Sequence, residues 1–269
     1  MAASMNSTAS SFAVIAHRGG AGHAPENTLP AFRRSLALGF TQVELDVRRS
    51  QDGVLMLFHD SSLERKVGRA GSVGDYTAAE LRSFDIGSWF DREHPEIAES
   101  YAGTRLITLS ELFEELGPRL YYHVEIKGED PRVPPLVIQQ VDAFDLRSRV
   151  TVTSFSREQI ERVRALAPDL SVCWLIERHR GLKGYVRALF ETHRSAVDTA
   201  VHGGFDWVAI RANELSAELV SYAHEHGLRI RAYGIRSKTD EDRVIRSGSD
   251  GATTDWPSRL RDRLDAQRR

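Results

Sequence analysis

The residues of this chain that could do chemistry fall in a few short runs. Residues 42–60 read QVELDVRRSQDGVLMLFHD. Glu44 and Asp46 stand two apart there, so on a strand both carboxylates leave one face while Val43, Leu45 and Val47 leave the other. Two acids on the buried side of an apolar strand are costly unless a cation or hydrogen bonds compensate them. Tyr121–Lys127 (YYHVEIK) repeats the spacing with Glu125 and Lys127. His17-Arg18 closes an earlier apolar run, Phe12–Ala16, and is followed by Gly19-Gly20, where backbone can approach an anion. His59-Asp60 closes the run Val54–Phe58. Taken alone, Glu44 and Asp46 could equally lie on the solvated face of an antiparallel edge, with His59 in an ordinary turn.

The set as a whole points to one kind of reaction. Glu44, Asp46 and Glu125 are hard oxygen donors suited to Mg²⁺ or Ca²⁺, without the thiolate or histidine-rich set of a structural zinc site. Arg18 and Lys127 add positive charge beside such a metal, a combination that binds a phosphate or similar oxyanion. His17 and His59 can serve as acid and base near neutral pH, with either able to take either role. Together these groups describe phosphoryl transfer, most simply cleavage of a phosphodiester.

These side chains need a frame that brings them together. Strands are expected near residues 14, 45, 56, 123, 152, 173, 208 and 232. Helices are expected over Leu29–Leu38 (capped by Asn27 or Thr28), Thr108–Leu116, Pro134–Phe144, Arg157–Leu166, Gly184–His202, Ala217–His226 and Thr239–Arg246. A basic loop, Arg178, His179, Arg180 and Lys183, precedes the fifth of these. Strands alternating with helices imply parallel pairing, and eight such units close into an α/β (β/α)₈ TIM barrel of about this length. The ionisable residues sort to C-terminal strand ends, where barrel enzymes place their chemistry. Residues 61–104 are too long for a βα loop and are expected to form a cap inserted after the third strand. Residues 1–269 are thus expected to form a single barrel domain. Gly251–Asp255 is expected to be a short returning segment and the residues beyond Trp256-Pro257 a charged tail.

Composition sets the outer bounds. The chain has 269 residues, 41% hydrophobic and 28% charged, with formal net charge −2. That balance, without a sustained basic run, argues against nucleic acid as a partner. The lone Cys173 lies in an apolar run and reads as a buried core thiol, unable to form an internal disulfide. MAASMNSTASS lacks the charged start and apolar core of a signal peptide. No stretch approaches the roughly 18–20 apolar residues of a membrane span. The expectation is a soluble, cytoplasmic protein without stable membrane insertion and with a small-molecule substrate.

The order His17-Arg18, Glu26-Asn27, Glu44-x-Asp46, His59-Asp60 resembles the signature of the glycerophosphodiester phosphodiesterases, within the wider phospholipase C-like phosphodiesterase barrels. The likeness continues through Gly87-x-Trp89-Phe90, Thr108-Leu109-x-Glu111, Glu125-Ile126-Lys127 and Thr254-Asp255-Trp256-Pro257, and so covers nearly the whole chain. It implies metal ligands at Glu44, Asp46 and Glu125, acid/base roles at His17 and His59, and phosphate contacts at Arg18 and Lys127. It also implies that 61–104 is the family's cap subdomain. The implied activity is metal-dependent hydrolysis of glycerophosphodiesters to glycerol 3-phosphate and an alcohol. The alternatives are a lysophospholipase D-type hydrolase acting on lipids and an inactive phosphodiester-binding barrel. Where such proteins usually show a Trp-Thr-x-Asn run, this chain has Tyr233-Gly234-Ile235-Arg236, so one wall of the pocket differs and Arg236 favours an anionic headgroup.

Overall fold

Alternating valines, leucines and isoleucines facing one way and polar residues facing the other build a closed sheet with a greasy outside. The computed structural model describes residues 12–177 and 193–267. The basic loop Arg178–Lys183, the first part of the helix expected over Gly184–His202 and the MAASMNSTASS segment lie outside the described residues. The strands are β1 (Ala13–Ala16), β2 (Gln42–Arg49), β3 (Leu55–Leu57), β4 (Tyr121–Ile126) and β5 (Val150–Ser154). They continue as β6 (Ser171–Ile176), β7 (Trp207–Arg211), β8 (Arg229–Tyr233) and β9 (Gly251–Thr254). Eight of them pair in parallel in the order β1-β9-β8-β7-β6-β5-β4-β2, and β1 meets β2 to close the ring. This is a (β/α)₈ barrel.

One of its staves is not the one expected. The run Val54–Phe58 is no parallel barrel strand: β3 folds back antiparallel on β2, with Val47 opposite Leu57 and Arg49 opposite Leu55. The reason is local. Ser50–Val54 is a tight turn, with Gly53 at φ 90° and the Val54 carbonyl accepting from Ser50 N at 2.9 Å. So short a link can join only antiparallel strands. The eighth stave is β9, expected only as a returning segment. Its Gly-Ala-Thr-Thr sequence carries no large apolar residue, yet it lies between β1 and β8, with Ala13 opposite Gly251 and Ala16 opposite Thr254. The descending hairpin still delivers His59 to the rim, because Phe58 N donates to the Asp46 carbonyl at 3.1 Å.

The outer faces of the staves, including Val43, Leu45, Val124, Val152, Val172 and Ile230, pack with the surrounding helices into the main core. Those helices include α1 (Leu29–Ala37), which Thr28 caps by accepting from Ala31 N; three short ones lie in the insertion, outside that core. The insertion helices are α2 (Glu64–Val67), α3 (Ala78–Leu81) and α4 (Ser88–Glu93). Further along come α5 (Leu109–Leu116), α6 (Val133–Ala143), α7 (Arg157–Leu166), α8 (His193–His202), α9 (Ala217–Glu225) and α10 (Lys238–Ser247). The expected charged tail is a helix, α11 (Pro257–Gln267), held by buried Leu260. Cys173 is buried inside the barrel, beside Trp207. No helix among the described residues is long and apolar enough to cross a membrane.

Residues 61–104 leave the chain between the second and third parallel staves. They build a second apolar cluster in which Leu63, Leu81, Trp89 and Phe90 pack with Met56 and Phe58 of the hairpin. Gly87 is the tightest point of this segment. A Cβ there would lie 1.7 Å from the Tyr101 carbonyl oxygen, a backbone atom that has no room to yield. Gly87→Ala is therefore expected to destabilise the protein by about 1–3 kcal/mol. The loss of hydrogen-exchange protection should be concentrated at residues 86–104; unchanged protection there would show that the segment tolerates the methyl group.

Candidate active site

Parallel pairing with in-phase register sets the site. Asp46 lies opposite Glu125 and Glu44 opposite His123, so the inward faces of β2 and β4 stack their polar side chains at the C-terminal end of the barrel. Glu44, Asp46 and Glu125 are all buried, each offering an oxygen within 4.8 Å of the others. The Glu44/Asp46 pair is thus not on a solvated edge. Lys127 follows β4 and reaches both Asp46 Oδ1 at 3.0 Å and Glu125 Oε1 at 2.5 Å. Arg18 Nε is 3.4 Å from Asp46 Oδ2.

The β1 exit is bent to serve the same cluster. Arg18 and Asn27 both adopt positive φ, 52° and 59°, a conformation that non-glycine residues hold only where surrounding contacts enforce it. In that conformation Arg18 N donates to Glu44 Oε2 at 3.0 Å, while its NH1 donates to both oxygens of Glu26 at 2.9 Å. Asn27 is turned away from the helix and clamps Asp46. Its Nδ2 donates to Asp46 Oδ2 at 2.7 Å and its Oδ1 accepts from Asp46 N at 3.1 Å.

Each candidate histidine is held through Nδ1 by an aspartate. His17 meets Asp255 Oδ1 at 2.5 Å and His59 meets Asp60 Oδ1 at 2.8 Å. With Nδ1 bonded to a carboxylate, Nε2 is the nitrogen free for proton exchange. His17 Nε2 also lies 3.8 Å from Glu44. Burial and Arg18 push the His17 pKa down, but Glu44 and Asp255 outweigh them and leave it raised. Burial pushes Glu44 up to about 7, with Asp46 adding to the rise. Asp46 behaves in the opposite way: burial works against its charge, yet Lys127 and Arg18 hold its pKa well below the usual carboxylate range.

The three carboxylates fit a divalent metal ion. Glu44 Oε1 and Asp46 Oδ1 are buried without an aligned hydrogen bond, and Glu44 has no lysine or arginine side chain paired with it among the described residues. Buried acceptors so aimed, in an all-oxygen set, suit a hard cation. A second acidic group, Glu26 with His59 and Asp60, does not compare. Both of its carboxylates are paired with Arg18, Lys66 or Arg65, whereas in the first set Asp46 and Glu125 are paired with Lys127 but Glu44 is left without a lysine or arginine pair among the described residues.

The structure thus gathers all seven sequence-selected residues, His17, Arg18, Glu44, Asp46, His59, Glu125 and Lys127, at one end of the barrel. It adds five partners: Glu26, Asp60, Lys66 and Asp255, which the sequence reading had left without a role, and Asn27, expected there only as one of two candidate helix caps. Four of these five stand in the quoted motifs, Asp60 directly after a selected residue. Lys66 stands in none. A cleft of about 380 Å³ opens over His17 and Arg18, bordered by Asp255 and Arg236 and, from the insertion, by Arg65 and Trp89. Ser154, a hydroxyl at the end of β5, donates to the Ile126 carbonyl at 2.9 Å.

Two aspartate-held histidines, an arginine, a lysine and a metal-compatible carboxylate cluster, set at the C-terminal rim of a parallel barrel, suit the chemistry of phosphodiester cleavage. Comparison with known proteins narrows this reading. Residues 17–259 match the Glycerophosphoryl diester phosphodiesterase family, and the chain belongs to that family. It is 30% identical over 252 residues to a glycerophosphodiester phosphodiesterase of Bacillus subtilis (strain 168), covering 90% of this chain and 83% of that protein. A glycerophosphodiester phosphodiesterase of Caldanaerobacter subterraneus subsp. tengcongensis is also 30% identical, over 257 residues, with 92% and 95% covered. Among solved structures, a putative glycerophosphoryl diester phosphodiesterase from Silicibacter pomeroyi superposes with TM-score 0.84 at 26% identity, covering 96% of this chain and 95% of that one. The protein is an enzyme, a phosphoric diester hydrolase.

Proposed function

We propose that the protein hydrolyses glycerophosphodiesters, such as glycerophosphocholine or glycerophosphoethanolamine, to glycerol 3-phosphate and an alcohol. Family membership supports the substrate class. The observation that carries the mechanism is the meeting of two aspartate-held histidines with Arg18, Lys127 and the buried Glu44, Asp46 and Glu125. Glu44, Asp46 and Glu125 would hold Mg²⁺ or Ca²⁺, which when bound supplies charge to polarise a phosphoryl oxygen. Arg18 and Lys127 bind the phosphate's oxygens and offset the negative charge that grows during attack. One of His17 and His59 takes the proton of the attacking oxygen at Nε2, and the other gives a proton to the departing alkoxide. Asp255 and Asp60 keep both rings in the tautomer that leaves Nε2 available. The segment 61–104, bordering the cleft through Arg65 and Trp89, acts as a cap over a single barrel domain.

The attacking oxygen in this reading is the substrate's own glycerol 2-hydroxyl. It is tethered close to phosphorus and needs no separate binding, so a cyclic glycerol phosphate forms and water then opens it. A substrate whose 2-hydroxyl is replaced by hydrogen should therefore be cleaved at least about 10²-fold more slowly than its parent. Cleavage at the parent's rate would show that water attacks directly. Release of glycerol 3-phosphate from glycerophosphocholine, with Mg²⁺ or Ca²⁺ added, tests the activity itself. Activity confined to lysophospholipids would favour the lysophospholipase D-type reading, and binding without turnover an inactive barrel.

A further inference from the structure

Lys66 takes no part in the mechanism just described, yet it is among the most deeply buried charges of the protein. It sits on α2 of the insertion with a side chain 0% exposed, and its ammonium contacts Glu26 Oε1 and lies 3.3 Å from Asp60 Oδ1. The faces of Phe58 and Trp89 stand 5.1 and 5.6 Å from it. Removing an ammonium from water is expensive unless it is paired, and the two carboxylates supply that pairing.

What those carboxylates do besides gives the contact its meaning. Asp60 Oδ1, the oxygen that Lys66 approaches, is also the oxygen on His59 Nδ1 at 2.8 Å. Glu26 holds the Arg18 guanidinium through both oxygens at 2.9 Å. Arg65 occupies the other oxygen of Asp60 from a side chain 49% exposed, so it does not duplicate the buried contact. A single cation from the insertion thus fixes one carboxylate behind a candidate acid–base group and another behind the phosphate-binding arginine.

We propose that Lys66 is a positioning residue for His59 and Arg18 together, acting through Asp60 and Glu26. The inference rests on the functional reading above and extends it, since it makes the insertion part of the catalytic apparatus as well as its cover. A lysine that merely neutralised two buried acids would affect how much protein folds, and leave kcat and KM of the folded enzyme unchanged.

The test is steady-state release of glycerol 3-phosphate from glycerophosphocholine at saturating Mg²⁺, with active protein counted by the folded fraction. The proteins compared are the wild type, Lys66→Met, Lys66→Arg, Asp60→Asn and the double variant Asp60→Asn/Lys66→Met. Lys66→Met should lower kcat roughly 10–100-fold through a loosened His59 and raise KM through a loosened Arg18. Lys66→Arg, which can still span both carboxylates, should recover most of that loss. In the Asp60→Asn background, adding Lys66→Met should change kcat by less than about threefold, because its route to His59 is already cut. If Lys66→Met fails to fold, as removing one partner of a buried ion pair can cause, Lys66→Gln, which keeps a donor toward Glu26 and Asp60 but no charge, takes its place in both backgrounds. A further large drop in kcat in the Asp60→Asn background, or wild-type kcat and KM in folded Lys66→Met or its replacement Lys66→Gln, overturns the proposal. A wild type that releases no glycerol 3-phosphate overturns the functional reading, and this inference with it, before any variant is compared.

Discussion

Replacing His17 or His59 with alanine is expected to lower kcat by about 10²–10⁴-fold, while changing the melting temperature little. The size follows from losing a proton donor or acceptor in the transition state, a loss of roughly 3–5 kcal/mol of barrier lowering. The small effect on stability follows from position. The two side chains are 29% and 34% exposed, lie at the rim, and touch the protein mainly through their aspartate partners. Asp255→Asn and Asp60→Asn should lower kcat as well, because an asparagine can turn its NH₂ toward Nδ1 and favour the tautomer that carries the proton on Nε2. Steady-state kinetics paired with thermal unfolding checks all four. An alanine variant that kept wild-type kcat would remove that histidine from the mechanism.

Excess chelator is expected to abolish turnover, and Glu44→Gln, Asp46→Asn and Glu125→Gln each to weaken metal binding. The three should differ in stability. Asp46 is the shared counter-charge of Lys127 and Arg18 and is clamped by Asn27. Neutralising it leaves two largely buried cations short of a partner, which costs about 3–5 kcal/mol. Glu44 has no lysine or arginine side chain in an ion pair with it among the described residues and already resists ionisation, its pKa pushed up to about 7 by burial and by Asp46. Its glutamine variant can still accept from Arg18 N, so it should fold as well as the wild type while losing the metal. A readout independent of catalysis is the thermal shift. Mg²⁺ or Ca²⁺ at 100 times its Kd should stabilise the wild type by about 2.7 kcal/mol, and each ligand variant by much less. Full activity in excess chelator, or equal shifts in wild type and variants, would remove these carboxylates from any metal role.

Local patterns made most of the barrel legible and long-range partners did not. Glu44, Asp46 and Glu125 stood out because two-residue spacing among apolar neighbours is a property of a single strand, and parallel register then joined them. The helix Arg157–Leu166 could be placed to the residue because its apolar stripe and flanking breakers are local. The misplaced stave at residues 54–58 had a legible cause as well: the Asp52-Gly53 turn is a hairpin signal, and it excludes the parallel pairing that the apolar run suggested. β9 was hidden by its small residues, whose burial comes from neighbours rather than from their own hydrophobicity. The partners of Lys66 and Asp255 were beyond reach for a different reason. Lys66 meets Glu26 across 40 positions and Asp255 meets His17 across 238, and nothing near either residue announces its partner.

That last separation has a bearing on how the enzyme comes into being. β1, which leads to His17, closes the ring only by pairing with β9 on one side and β2 on the other. During synthesis the first stave must therefore wait, unpaired on one edge, until residues 251–254 have been made. So late a closure is the extreme of non-local contact formation and makes ring closure a slow step of folding. The carboxylate that steadies His17 arrives in the same moment, one residue after the strand that seals the barrel. A chain cut back before β9 therefore lacks, together, the strand that seals the ring and the carboxylate that holds His17.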